Sequence, residues 1–391
     1  MTIVIFGNDF TIHTSNAASN FVRNMARGFV EDGVDTYIIN YAREYGSYQG
    51  VVAGVNYYIP LEQGERNSKF VVRQYFRLKR FINLFRFVSK NIKKTDKNIL
   101  IIYAESFPIL VIGYLLKIMF FDLSLHYAAE HPVRYKKRFL RKIFLKNCYP
   151  YCVYRMNDGL LSVSGQLANF FKSFQGSKKI NYIFPPVTDP EHFSKQYPSP
   201  YNFDYVAYCG AISLEKDGLD ILLKSFAIVK RTLPEIKLLL IGRSQSNHEL
   251  TIIMDLINSL DIFNNIVFPG FLEYQDLPKY LSNARILALA RPTNLQNETG
   301  FPSKLPEYLS TKKPVIITRV GDIPRYFTNC VNCFLAEPGK VEDFAEKLLL
   351  ALQDETLATK VGLNGYELAK TIFNYKYQGS ELINILKNYS R

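Results

Sequence analysis

The same alternation of strand and helix is written twice along this chain, with a break between the two copies. An apolar, β-rich run from Thr2 to Phe6 ends at Gly7, and a polar loop leads to an amphipathic helix expected from about Ala17 to Glu31, stopped at Gly33. From Tyr205 the pattern restarts, with strand Tyr205 to Cys209, a glycine exit at Gly210 and helix Leu219 to Thr232. Apolar strands separated by helix-length segments predict a parallel sheet covered on both faces. Further strands are expected at Thr36 to Tyr41, Val55 to Ile59, Ile99 to Tyr103, Phe120 to His126 and Gly159 to Val163. In the second series they are expected at Lys237 to Ile241, Ile266 to Phe268, Ile286 to Leu289, Val315 to Thr318 and Asn332 to Leu335. The segment PPVTDPEHFSKQYPSP, 185–200, has no periodicity and marks the domain boundary. The sequence therefore reads as two Rossmann-like doubly wound α/β domains, residues 1–186 and 204–370, with a linker at 187–203. A last helix, 371–391, is expected to return to the first domain.

With 391 residues and 48% hydrophobic residues, the chain can build two ordinary cores. Five cysteines, Cys148, Cys152, Cys209, Cys330 and Cys333, suggest a reducing compartment and buried free thiols; a four-thiolate metal site is the weaker alternative, and no dedicated metal site is expected. The N-terminus shows no secretory signal pattern. The most apolar stretch, Phe107 to Leu125, carries Lys117 and Asp122 and is interrupted by Gly113, so it reads as a buried helix followed by a strand, and no transmembrane helix is expected.

The net charge of +13 is unevenly placed. Residues 1–186 hold 26 Lys+Arg against 12 Asp+Glu, or +14, and residues 187–391 hold 22 against 23, or −1. Basic residues concentrate in Arg66 to Lys97 and in Arg134 to Lys146, both interleaved with Phe, Tyr, Leu and Ile at helical spacing. Such surfaces suit an anionic membrane face, a phosphorylated substrate or nucleic acid, or are solvated helix faces. No recognised RNA- or DNA-binding module is present, so nucleic acid is not an expected partner.

In an open parallel sheet, ligands bind beyond the carboxyl ends of the strands. The second domain offers Gly210-Ala-Ile-Ser-Leu-Glu-Lys216-Asp-Gly218 and Asn297-Glu-Thr-Gly300-Phe-Pro-Ser303-Lys304-Leu-Pro-Glu307. Gly300 permits close backbone approach, Ser303 is expected to cap a helix from Ser303 to Thr311, and Glu307 follows Lys304 on the same face. A lysine in a first helical turn is unfavourable unless an anion meets it. Arg243 and Arg291 follow strands at the same edge. In the first domain Gly7, Asn8 and Asp9 end the first strand, and His126, Glu130 and His131 lie at the end of another.

The segments GFPSKLPEYLSTKKPVIIT, YCGAISLEKDGLDILLKSF, LLLIGRSQSN and VGDIPRYF, in their order, resemble the donor-binding domain of GT-B glycosyltransferases of the family 4 type, the glycosyl transferases group 1. The resemblance covers roughly residues 204–375 well and the N-terminal half weakly. It implies two domains facing each other across a cleft, the first binding acceptor and the second a nucleotide-sugar donor. Lys216 matches the lysine that contacts the donor diphosphate, and Glu307 the glutamate that holds the ribose hydroxyls. Ala211 stands where arginine is common, with Lys304 expected to take over part of that work. With seven residues intervening before Glu307, Thr299 stands in place of the family's first glutamate, and Glu298 is one position off. The resemblance also puts Arg243 near the base and His126 beside the transferred sugar; Lys216, Lys304 and His126 are the expected catalytic residues. Gly210, Arg243, Arg291, Gly300, Ser303 and Glu307 are the expected donor contacts, and Gly7, Asn8, Asp9, Glu130 and His131 line the expected acceptor cleft.

The implied activity is retaining, metal-independent transfer from a nucleotide-diphosphate sugar, without a cofactor. The acceptor is expected to be a saccharide, lipid-linked in bacterial cell-surface polysaccharide assembly, reached from the cytoplasm at the inner membrane face through the basic first domain. A nucleotide-sugar epimerase and a non-catalytic transferase-like partner subunit are the rival readings.

Overall fold

The computed structural model describes residues 1–14, 16–42, 44, 47–60, 70–93, 97–132, 147–174, 179–244 and 246–389. The basic stretch Arg134 to Lys146 lies outside these residues, as do Arg66 and Lys94. The chain forms two compact units, one of residues 1–187 with 375–391, the other of residues 188–374.

In the first unit, strands β1 (Thr2–Gly7), β2 (Asp35–Asn40), β3 (Gln49–Val52), β4 (Val55–Tyr58), β5 (Asn98–Tyr103), β6 (Leu123–Ala128), β7 (Gly159–Ser162) and β8 (Ile180–Ile183) make one sheet ordered β3-β4-β2-β1-β5-β6-β7-β8. All pairs are parallel except β3 with β4. Every residue of β1, β5 and β6 is buried, as expected of central strands covered on both faces. Helices α1 (Ala17–Glu31), α2 (Phe70–Asn91), α3 (Phe107–Phe120), α4 (Tyr149–Met156) and α5 (Gly165–Lys172) connect them. Asn16 caps α1 by accepting from the Ser19 N–H at 2.9 Å. The two edge strands β3 and β8 were not expected: each is four residues, polar or half exposed, and carries too little alternation to register in sequence.

In the second unit, β9 (Tyr205–Cys209), β10 (Lys237–Ile241), β11 (Ile266–Gly270), β12 (Ile286–Leu289), β13 (Val315–Thr318) and β14 (Phe334–Ala336) form an all-parallel sheet ordered β11-β10-β9-β12-β13-β14. Its helices are α6 (Pro190–Phe193), α7 (Leu214–Asp217), α8 (Leu219–Thr232), α9 (Asn247–Ser259), α10 (Leu277–Leu281), α11 (Leu295–Thr299), α12 (Leu305–Ser310), α13 (Ile323–Tyr326), α14 (Val341–Gln353) and α15 (Glu355–Lys370). The order runs outward from β9 in one direction and from β12 in the other, so the topological switch point lies between them.

The last helix, α16 (Tyr375–Asn388), belongs to the first unit and packs on α1. The Arg27 guanidinium lies 4.4 Å from the Tyr375 ring centre, and the Tyr375 hydroxyl donates to Glu31 at 2.5 Å. Lys97 donates to the Leu386 and Tyr389 carbonyls at 2.7 and 3.0 Å, satisfying groups that a helix end leaves open.

Candidate functional site

The exits of β9 and β12 flank the switch point, and a charged cluster gathers there. Gly210 follows β9, and a Cβ at this position would collide with the Lys304 ammonium, so only glycine lets that side chain lie against the strand exit. Gly218 is left-handed, with φ +65°, and a Cβ there would strike the Ala290 carbonyl. This close approach brings the end of α7 beside the β12 exit and sets Asp217 next to Arg291.

Asp217 is the centre of the cluster and is 3% exposed. Its Oδ2 accepts from Lys304 Nζ at 2.7 Å and from the Tyr208 hydroxyl at 2.7 Å, while Arg291 Nε stands 3.8 Å from Oδ1. Burial pushes the carboxyl up, but Lys304, Arg291 and these hydrogen bonds outweigh it and hold Asp217 down at about 2. Its stabilising ionisation is therefore present above about pH 3.8 and lost as pH falls through about 2. Lys304 Nζ also sits 4.7 Å from the Tyr208 ring centre, and its side chain retains 16% exposure.

This geometry corrects the expectation for the helix start. Helix α12 begins at Leu305, two residues later than expected, with Lys304 as the flanking residue; Ser303 is exposed and does not cap it. The anion that meets Lys304 is the protein's own Asp217, so a cation at this helix start does not by itself require a bound ligand. Lys216, one residue earlier, is exposed, and its carbonyl accepts from Asn297 Nδ2 at 3.0 Å. The same amide donates to Pro292 O at 2.8 Å, tying α7, α11 and the β12 exit together.

Glu307 sits in the first turn of α12, half-buried. Burial pushes its carboxyl up to about 8, with Lys304 pulling the other way. Next to it, the Tyr308 hydroxyl accepts from the Cys209 N–H at 2.6 Å and stands 3.2 Å from the Cys209 carbonyl, clamping α12 to the β9 exit. Burial, then the Glu307 carboxylate, lifts the Cys209 thiol to about 12. Gly210, Lys304, Glu307, Asp217 and Arg291 are thus brought together. Thr299 is turned inward, its hydroxyl donating to Leu295 O at 2.6 Å, and Glu298 is exposed; Gly300 closes α11. Arg243 is exposed after β10, its guanidinium 4.3 Å from the Phe271 ring centre.

Sequence reasoning missed Asp217, Tyr208, Asn297 and Tyr308. Asp217 is the one with a usable signal, an acidic residue directly before a glycine at a strand-to-helix junction. All five cysteines are free.

In the first unit, Gly7 ends β1 between Asn40 and Tyr103, and Asp9 is exposed and accepts from the Glu105 N–H at 2.8 Å. Asn8 carries a buried Oδ1 without a hydrogen-bond partner among the described residues. His126 lies inside β6 rather than at its end: β6 runs on to Ala128, the ring is 2% exposed, and burial brings it to about 3. The imidazole is therefore neutral across the physiological range, and its Nδ1 meets no hydrogen-bond partner among the described residues. Glu130 and His131 follow the strand; the His131 ring packs 4.2 Å from Phe170.

Residues 189–368 match the glycosyl transferases group 1 family. The second unit is a group 1 glycosyl transferase domain. Over the whole chain the fold is GT-B: Anabaena HepE in complex with UDP-glucose superposes with a TM-score of 0.74 at 14% identity, covering 100% of both chains. Sucrose-phosphate synthase from Thermosynechococcus elongatus gives 0.71 at 16% identity, covering 99% of this chain and 98% of the other. A GDP-mannose-dependent monoacylated alpha-(1-6)-phosphatidylinositol monomannoside mannosyltransferase of Corynebacterium glutamicum is 25% identical over 247 residues, 60% of this chain and 63% of that enzyme. The chain thus spans less than two thirds of that relative. In the transferase domain the charged cluster occupies the switch point, where a doubly wound sheet takes its ligand.

Proposed function

We propose that the protein is a retaining glycosyltransferase that moves a sugar from a nucleoside-diphosphate donor to a saccharide acceptor. The observation that carries this reading is the convergence of Lys304, Arg291 and Glu307 on the β9 and β12 exits of the transferase domain. In this reading the bond from the sugar's anomeric carbon to the diphosphate breaks, one to the acceptor oxygen forms on the same face, and the acceptor hydroxyl's proton passes to the departing diphosphate. Lys304, Arg291 and the exposed Lys216 meet the charge left on the diphosphate, so the reaction needs neither a metal nor a cofactor. HepE, with UDP and UDP-glucose bound, and the GDP-mannose-dependent mannosyltransferase support a nucleotide-sugar donor while differing in the base. The relative named for a phosphatidylinositol monomannoside and the +14 balance of residues 1–186 support a lipid-linked acceptor at the inner membrane face, in cell-surface polysaccharide assembly. Among the described residues no helix is long and apolar enough to cross a membrane.

A panel of UDP-, GDP-, ADP- and CDP-sugars tests the donor. One base is expected to raise the melting temperature by several degrees at a ligand concentration about 100 times its Kd, where binding adds about 2.7 kcal/mol. A flat panel would sink the reading.

The ribose role of Glu307 has its own signature. Since burial raises its folded value to about 8, the proton favours the fold, a contribution complete below pH 4.5 and lost as pH rises through about 8. Two ribose hydroxyls donating to this carboxyl favour its ionised form. Calorimetry near pH 7 in buffers of different ionisation enthalpy is expected to show roughly one proton released per nucleotide bound, and close to none for Glu307→Gln. Equal proton release by both proteins would remove Glu307 from the ribose site.

A further inference from the structure

Helix α3 was expected to be buried, yet one side of it faces solvent and that side is apolar throughout. Its exposed residues are Phe107, Pro108, Leu115, Ile118 and Met119, with Ile118 63% and Met119 52% exposed. The helix carries a single charge, Lys117, and this turns inward to Asp158 at 2.7 Å. Helix α2 continues the surface. It exposes Tyr75, Leu78 and Ile82, and Phe85 on the same helix meets Phe120 of α3 at 5.9 Å between ring centres, so the two apolar strips adjoin. Arg73, Arg77, Arg86 and Lys90 of α2 are exposed around them, and neither helix contains an acidic residue. Scattered exposed apolar side chains are ordinary, but a contiguous patch bordered by the exposed cations of α2 is an interaction surface, although Asp122 is exposed just beyond the end of α3.

We propose that the first unit docks on an anionic lipid bilayer through this face, with Leu115, Ile118 and Met119 of α3 and Leu78 and Ile82 of α2 entering the headgroup boundary and the α2 cations holding the lipid phosphates. Charge decides for a bilayer over a second copy of the chain. A self-interface would set the α2 cations near their own counterparts with no carboxylate on either helix to meet them, whereas a bilayer supplies both the acyl surface and the negative charge. The proposal deepens the reading of a lipid-linked acceptor by assigning the surface that brings the protein to its lipid.

The test is cosedimentation of the full chain with pure lipid vesicles, which requires neither donor nor acceptor and so stands or falls separately from the transferase reading. Vesicles of phosphatidylcholine with phosphatidylglycerol are expected to bind at least about tenfold more tightly than phosphatidylcholine alone. The double substitution Ile118→Asp with Met119→Asp is expected to weaken binding by about tenfold or more, with an unchanged melting temperature because both side chains are exposed. Arg86→Glu with Lys90→Glu should weaken it comparably and flatten its salt dependence. Unaltered binding by the α3 variant would overturn the proposal, as would equal affinity for neutral and anionic vesicles. An α3 variant that splits a dimer in light scattering while vesicle binding persists would overturn it too.

Discussion

Replacing Lys304 with alanine is expected to lower sugar transfer by about 10²–10³, the loss typical of removing one preorganised group that stabilises developing negative charge. The side chain lies against the Gly210 exit, held by Asp217 and the Tyr208 ring, yet keeps enough exposure to meet a ligand at the strand ends. A cation fixed in this way needs little reorganisation when the diphosphate charge develops. The measurement is the rate with the donor identified by the nucleotide-sugar panel, together with the affinity for the bare nucleoside diphosphate. If Lys304 serves the leaving group, kcat falls more than nucleotide binding does. A Lys304→Ala protein with wild-type transfer would show that the lysine only balances Asp217. Unchanged cellular glycan in that variant would favour the reading of a non-catalytic partner subunit.

Asp217→Ala is expected to cost roughly 3–5 kcal/mol of stability, among the largest effects of any single substitution in the second unit, because it leaves buried cations without their carboxylate. Two features place the cost toward the lower end: Lys304 can swing toward solvent, and Arg291 is 3.8 Å away rather than in hydrogen-bond contact. Urea unfolding monitored on the second unit measures it. Asp217→Asn with Lys304→Met, which removes the ion pair and preserves volume, should recover much of the loss. If Asp217→Ala unfolds at the wild-type denaturant midpoint, the cluster is not what holds α7 to the β12 exit. Because the Asp217 carboxyl is held at about 2, its contribution should vanish only under strongly acid conditions and leave the neutral range flat.

Central elements were readable from the residues. Helix Leu219–Thr232 falls where its helical period puts it, and strands Tyr205–Cys209, Lys237–Ile241, Ile286–Leu289 and Val315–Thr318 fall where buried apolar runs put them. Short elements were not. Helix α11 is five residues held by the Asn294 cap and the buried amide of Asn297, and no hydrophobic period can announce so short a piece. The face of α3 was misread because a nearly uniform apolar helix shows no polar side from which to infer an exposed one.

Local pattern and ordered motifs were enough for the parallel two-domain architecture and for placing Lys304 and Glu307 together at one helix start beside a strand exit, because these follow from periodicity and short-range spacing. The partner of Lys304, the sealing of His126 within β6 and the elevated carboxyl of Glu307 depend on groups far apart in the chain. Lys304 and Asp217 are separated by 87 positions. Coulomb attraction and desolvation act through space, and folding alone sets those distances and that burial.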